Sequence, residues 1–311
     1  AETWEEQGDR IATHELVRRA EDYKLRTVPW GGLIITAGVD TQGDRLEAYA
    51  WAVGRHTERW LVDHQILYGD PALPEDQPSS PWALLTKWRQ TEFLHDSGKI
   101  LTIAGCAVDS GGHHTQHVYT YARKYQSQHV IAIKGASQAS KPVLGKPSEV
   151  DINYKGQKIK KGARYWPIGT DTAKSIIYSQ LRVIEPGPGY VHFSKETPGY
   201  VFEQLTAERL VTRYHKGRPR LEWLKPAGRR NEALDCAVYS LAVEHYLGIP
   251  KYTEINWTKL EGSTQPLPVQ KPPKTIEPVP PVLSQAPAQA QKAPVSKMPI
   301  LPKRNGWVKR W

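Results

Sequence analysis

Ile35-Thr36-Ala37-Gly38-Val39-Asp40 is an apolar run that ends in a carboxylate, and its reading decides the fold. A strand of this character belongs inside a sheet, and a carboxylate set against a hydrophobic core is costly unless something positive satisfies it. The same pattern returns in Ile103-Ala-Gly-Cys-Ala-Val-Asp109. A third aspartate stands in Asn231-Glu-Ala-Leu-Asp235, where the spacing predicts the opening turn of a helix. Convergence of these three in space implies a divalent-metal site, because hard Mg²⁺ or Mn²⁺ prefers oxygen ligands and a few carboxylates leave positions open for water and phosphate.

Working outward, Arg45–Val53 alternates as a second strand after the turn Thr41-Gln42-Gly43-Asp44, and Glu58–Leu67 follows as a third, giving an antiparallel meander. Pro81–Leu94 has helical spacing through Leu84, Leu85, Trp88 and Phe93. The strand Ile100–Val108, a helix around Thr115–Tyr125 and the strand Val130–Ile133 then make a right-handed crossover with parallel strands. Residues 136–163 are polar and rich in Gly and Lys, as in a loop or hairpin. Helices are expected at Thr170–Leu181 and Val201–Glu208, and a hairpin at Leu210–Trp223 turning at Lys216-Gly217. Arg229–Leu247 is helical, with Leu234, Val238, Leu241 and Ala242 on one face and Gly248 as its stop. Past Pro250 the periodicity vanishes, and residues 251–311 hold 11 of the 25 prolines, the signature of a disordered or polyproline-like tail.

This order of elements is that of the ribonuclease-H-like fold, in which the first strand, the fourth strand and a late helix each contribute a carboxylate to one site. The expected fold class is therefore α/β, a ribonuclease-H-like mixed sheet flanked by helices with a disordered Pro-rich C-terminal tail. The expected division is a lead-in at 1–30, a nuclease domain at 31–248 and a basic tail at 249–311.

Charge is unevenly distributed. Residues 251–311 carry ten Lys/Arg against three Glu, a net of +7 that leaves only +3 of the total +10 for the rest. Basic character favours anionic partners such as nucleic acid. No apolar run approaches the roughly 18–20 residues needed to span a membrane, and the amino terminus lacks the basic and apolar regions of a signal peptide. The only methionine is Met298, as expected of a piece of a longer protein. Cys106 and Cys236 lack zinc-ligand spacing and are expected as reduced core residues.

Each aspartate taken alone has a plainer explanation as a turn former or helix N-cap. Asp109-Ser110-Gly111-Gly112 fits it well; Asp235, inside a helix between Leu234 and Cys236, fits it poorly. Glu232 and Asn231 lie three and four positions before Asp235, on its helical face, where either would orient a ligand or cap the helix. Lys134 ends the strand next to that of Asp109, where its ammonium would either meet phosphate or, the plainer reading, stand exposed as a strand-end lysine. His113, with His114 and His117, sits near the cleft without the partners a tetrahedral zinc site needs. Lys155, Lys158, Lys160, Lys161 and Arg164 form a basic run suited either to a DNA backbone or to a solvated hairpin. Gly169-Thr-Asp-Thr-Ala-Lys174-Ser175 only superficially matches a phosphate loop, since Ala173 stands where the second glycine belongs. A capped helix start is the better reading, and no ATP hydrolysis is expected.

Taken together, Gly38-Val-Asp40-Thr-Gln-Gly-Asp-Arg-Leu-Glu47, Ala107-Val-Asp109-Ser-Gly-Gly112, Ala132-Ile-Lys134-Gly135, Trp166-Pro-Ile-Gly-Thr-Asp-Thr-Ala-Lys174 and Arg230-Asn-Glu-Ala-Leu-Asp235-Cys-Ala-Val-Tyr239 resemble the nuclease half of the large terminase subunit of lambda-type tailed bacteriophages. The resemblance runs from about Glu2 to Leu247. It implies a DNA-packaging motor whose ATPase domain precedes this piece, and a carboxy-terminal nuclease that cuts concatemeric double-stranded viral DNA in the host cytoplasm. With it come two Mg²⁺ or Mn²⁺ ions, Asp40 shared between them and Asp109 and Asp235 completing their ligands. It also implies a small terminase subunit that selects the packaging site and a capsid portal protein. The portal would be met by the basic, Trp-bearing end Lys303, Arg304, Trp307, Lys309, Arg310 and Trp311. No membrane partner is implied. The rival expectations are another ribonuclease-H-like DNA nuclease, such as a junction resolvase or transposase, and a non-catalytic packaging adaptor that docks the portal.

Overall fold

Alternation along β1 (Ile34–Thr41) sorts its side chains between two cores. Ile35, Ala37 and Val39 join one buried cluster with Leu46, Val62 and Val108. Thr36, Gly38 and Asp40 point to the opposite face, where Thr36 Oγ1 lies 2.7 Å from Ser240 Oγ. The computed structural model describes residues 11–136, 138–154, 157–215 and 217–264.

Around β1 an eight-stranded sheet is assembled. β2 (Arg45–Val53) runs antiparallel to it with Glu47 opposite Asp40, and β3 (Arg59–Tyr68) runs antiparallel to β2. On the other side β4 (Ile103–Asp109) runs parallel, with Val108 opposite Val39, followed by parallel β5 (Val130–Gly135). β6 (Ser148–Tyr154) and β7 (Gln157–Ile168) form an antiparallel hairpin whose second strand is parallel to β5. The two-residue β8 (Val191–His192) pairs with β3 at the far edge. Strands 3-2-1-4-5 are thus consecutive neighbours inside the order β8-β3-β2-β1-β4-β5-β7-β6. That antiparallel meander joined to parallel crossover strands is the ribonuclease-H-like arrangement.

Helices α1 (Pro81–Arg89) and α2 (Thr115–Lys124) cover the Ile35 face through Trp82, Leu85, Trp88, Val118 and Tyr121. The opposite face is covered by α3 (Thr170–Leu181), α4 (Gly199–Leu205) and α5 (Glu232–Leu247). A separate hairpin, β9 (Arg209–His215) with β10 (Arg218–Leu224), precedes α5. α5 is buried from Glu232 to Leu234 and from Cys236 to Glu244, nearly all round, and stops where expected, at Gly248 with φ 77°. Small residues let it lie against the sheet. A Cβ added at Gly38 would fall 2.0 Å from the Cys236 carbonyl oxygen, and one at Gly105 2.7 Å from Val243 Cγ1. Cys106 and Cys236 are both buried and free. No helix among the described residues is long and apolar enough to cross a membrane.

Three stretches differ from expectation. The helix beginning at Pro81 ends at Arg89, and Phe93–His95 is a strand of a small sheet with Thr27–Val28 and Ile100–Leu101. Phe93 and His95 are buried and Leu94 is exposed, so a short in–out alternation was hidden under a spacing that also fits a helix. The lead-in is packed onto the domain where it is described: Leu16 is in the core, and the Tyr23 hydroxyl donates to the Leu61 carbonyl at 2.9 Å. Inside the stretch expected as tail, α6 (Glu254–Thr264) buries Trp257 against Leu33, Val53 and Ile249. Arg55 pairs with Glu254 and Glu261. A single aromatic anchor gives no periodicity to read. The rest of the Pro-rich tail, from residue 265, lies outside the described residues.

Because the contact at Gly38 is with backbone, which has no rotamer to move away, Gly38→Ala is expected to destabilise the fold by about 2–3 kcal/mol. Urea unfolding checks this; a midpoint equal to that of the unsubstituted chain contradicts the packing.

Candidate metal centre

The carboxyl ends of parallel strands are where open α/β sheets place ligands, and here Asp40 is the penultimate residue of β1 and Asp109 the last of β4 at that edge. The first turn of α5 crosses above them and brings Asp235. The three charges feel one another. Burial, then the charges of Asp235 and Asp109, push the Asp40 carboxyl up to about 8, with only the Gln42 side-chain amide opposing. Asp109 is pushed up to about 6 by burial and by Asp235, against the stabilising N–H of Gly111. Asp235 is raised by burial and by Glu208, and lowered by Lys174. Three acids separated by up to 195 positions are therefore close enough to raise one another's proton affinity.

Each carboxylate is held by a neighbour. Gln42 Nε2 donates to Asp40 Oδ2. The Gly111 N–H donates to Asp109 Oδ1 at 3.0 Å, so Asp109 makes its turn and faces the site at once. Asn231 Nδ2 donates to Asp235 Oδ2 at 2.8 Å, and Lys174 Nζ lies 3.3 Å from Asp235 Oδ1. Asn231, at the N-cap position, makes no side-chain capping bond; its amide serves Asp235 instead. Glu232 turns elsewhere, to Arg230 at 3.2 Å and Arg45 at 3.4 Å, and both arginines also pair with the fully buried Glu47 beside Asp40.

The remaining expected residues divide by location. Lys134 is exposed at the end of β5 and lowers the Asp109 carboxyl by its charge. His113 is exposed in the loop between Asp109 and α2. Lys158, Lys160 and Lys161 lie toward the start of β7, at the opposite end from Ile168, and Arg164 lies past its middle. Lys158 pairs with Asp151, and Lys161 and Arg164 with Glu149. Lys155 and the terminal group Lys303, Arg304, Trp307, Lys309, Arg310 and Trp311 lie outside the described residues. Two neighbours escaped the sequence reading. Glu208, just before β9, binds Lys174 at 2.6 Å and Asn231 at 2.7 Å. Tyr239, one turn after Asp235, is buried with its hydroxyl held protonated by burial and by the three aspartates. For Tyr239 the signal was the i, i+4 spacing; for Glu208 there was none.

The donor set fits a hard divalent cation, since three oxygen-bearing carboxylates, Asp40 buried and Asp109 and Asp235 half-buried, repel one another. As the side chains stand, no three His, Cys, Asp or Glu among the described residues are arranged to hold one ion. Asp235 is held by Lys174 and Asn231, and the three carboxylates would have to close around an ion.

Residues 1–257 match a family model described as the endonuclease domain of the terminase large subunit gpA. The large terminase subunit of Escherichia phage lambda is 35% identical over 249 residues, covering 78% of this chain and 36% of its own length. That of Enterobacteria phage P21 is 33% identical over 250 residues, covering 78% and 37%. The chain thus spans about a third of the length of these relatives. Among solved structures, the Mn-bound nuclease domain of the g2p large terminase from bacteriophage SPP1 aligns at 13% identity and a TM-score of 0.29, over 72% of this chain and 88% of that one.

The raised carboxyls fix a pH dependence. A carboxyl whose folded pKa lies above its unfolded value of roughly 4 keeps its proton more tightly in the fold. Stability is then greatest below pH 4 for these groups and is lost as pH rises toward the Asp40 value of about 8. In chelator, the Tm is expected to fall between pH 5 and 8, and Asp40→Asn is expected to flatten that fall and raise the Tm at pH 8. Thermal melts across pH check it; parallel curves for the two proteins contradict it.

Proposed function

The chain belongs to the endonuclease-domain family of the terminase large subunit gpA, and from that premise we propose that it cuts double-stranded viral DNA by divalent-cation-assisted hydrolysis. The observation that carries this reading is the gathering of Asp40, Asp109 and Asp235 at one edge of the sheet, where burial raises all three carboxyls and Asp235 raises the other two further. Carboxylates kept together at such a cost are suited to a site that a cation completes.

In this reading Asp40, Asp109 and Asp235 would hold two Mg²⁺ or Mn²⁺ ions. Bound there, such ions would supply an acidified water and stabilise charge on the leaving 3′ oxygen. The chain's own groups do the rest. Gln42 and Gly111 each fix one oxygen of a ligand carboxylate. Asn231 fixes one of Asp235. Lys134, exposed beside Asp109, offers an ammonium to the phosphate. The products carry 5′-phosphate and 3′-hydroxyl ends.

The wider setting follows the relatives. Concatemer cutting in the host cytoplasm, site choice by a small terminase subunit, an ATPase domain in the same full-length subunit, and portal docking by the tail at 303–311 all belong to this proposal.

Incubating duplex DNA with the purified chain and Mg²⁺ or Mn²⁺ is expected to produce metal-dependent cuts. Asp40→Ala is expected to slow them roughly a thousandfold, about 4 kcal/mol in the barrier. Equal cutting by the variant, or none by the unsubstituted chain, sinks the proposal; strong preference for a four-way junction over linear duplex points to a resolvase instead.

A further inference from the structure

We propose that Lys174 is a positioning residue that aims Asp235 before any ion arrives; this rests on the metal-site reading above and deepens it. Lys174 stands in the second turn of α3, with its side chain 12% exposed. Its ammonium lies 2.6 Å from Glu208 Oε1 and 3.3 Å from Asp235 Oδ1. Asn231 Nδ2 reaches the same two acids from the other side, at 2.7 Å from Glu208 Oε1 and 2.8 Å from Asp235 Oδ2. Both oxygens of Asp235 are thus gripped by donors on the protein side. A carboxylate oxygen has two acceptor sites, so each keeps one for an incoming ion.

Glu208 explains why a cation stands next to a site meant for cations. Paired with Lys174, it makes a neutral unit, and the orientation of Asp235 is obtained without subtracting from the negative charge of the three aspartates. Glu208 is itself buried, so it needs the ammonium. The geometry also separates this role from a phosphate-binding one. The ammonium is turned into two carboxylates and largely enclosed, and Lys225, which donates to Asn231 Oδ1 at 3.0 Å, is the exposed cation of this network.

Two effects of removing the ammonium oppose each other, and Glu208 decides between them. Charge alone would strengthen the pull on a divalent ion. Yet without Lys174, Glu208 is left buried, competes for Asn231 and repels Asp235 out of alignment. Loss of an outer partner of a metal ligand costs about 10–100-fold in metal affinity, and weaker binding is the expected sign.

Calorimetric titration of Mn²⁺ into the full 311-residue chain tests this, with Tm in chelator recorded alongside. Lys174→Met is expected to weaken Mn²⁺ binding about tenfold or more, and Glu208→Gln, which leaves the lysine an amide oxygen, to weaken it less. A purely structural lysine would lower the chelator Tm and leave the Mn²⁺ Kd of the folded protein unchanged. Unchanged or tighter binding by Lys174→Met overturns the positioning role; if that variant does not fold, unchanged binding by Glu208→Gln overturns it. Absence of Mn²⁺ binding by the unsubstituted chain defeats the metal-site reading itself, a different failure.

Discussion

Helix α5 lies so close to strand β1 that the space for one methyl group is missing: a Cβ at Gly38 would stand 2.0 Å from the Cys236 carbonyl oxygen. The rest of the site depends on this approach. It sets Asp235, the residue before Cys236, over the strand that ends in Asp40, and small residues at alternate positions of β1 and β4 make it possible. Thr36, Gly38 and Gly105 all meet α5. Larger residues there would lift the helix and carry its carboxylate away from the other two.

Close packing of this kind forces an electrostatic cost. Two like charges about 5 Å apart repel by about 3 kcal/mol at an effective dielectric near 20, and burial adds its own penalty. The fold offsets part of it with neutral donors on single oxygens, through Gln42, Gly111 and Asn231, while the Lys174 ammonium beside Asp235 is itself paired with Glu208. A second acidic pair, Glu47 and Glu232, sits next to Asp40 but is balanced by Arg45 and Arg230. The contrast is informative. Four charges beside the site are matched within the protein, whereas the three aspartates keep an excess of negative charge, which the proposed cation would meet.

Much of this was legible in the sequence because it rests on local patterns. Apolar runs ending in Asp40 and Asp109 mark central strands, the order of elements limits the topology, and Gly248 ends the late helix as its φ of 77° requires. What could not be read depends on side chains meeting across the fold. Nothing in the neighbourhood of Glu208 indicates that it will face Lys174, 34 positions earlier. Glu232 and Asn231 were equal candidates by helical spacing, and only the presence of Arg45 and Arg230 decides that Glu232 is neutralised while Asn231 turns to Asp235. Short elements were lost for a related reason: two-residue β8 has no alternation to detect, and α6 is held by Trp257 and by Arg55 from a distant loop.

The central claim is that Asp40, Asp109 and Asp235 form one cation site. Anomalous X-ray diffraction from crystals of the chain soaked in Mn²⁺ tests it most directly, because the signal locates the ion without reference to activity. The account predicts Mn²⁺ density bounded by these three carboxylates, with Asp235 still held by Lys174 and Asn231. Density confined to other surface carboxylates at saturating Mn²⁺, with the three aspartates left as they stand, would contradict it.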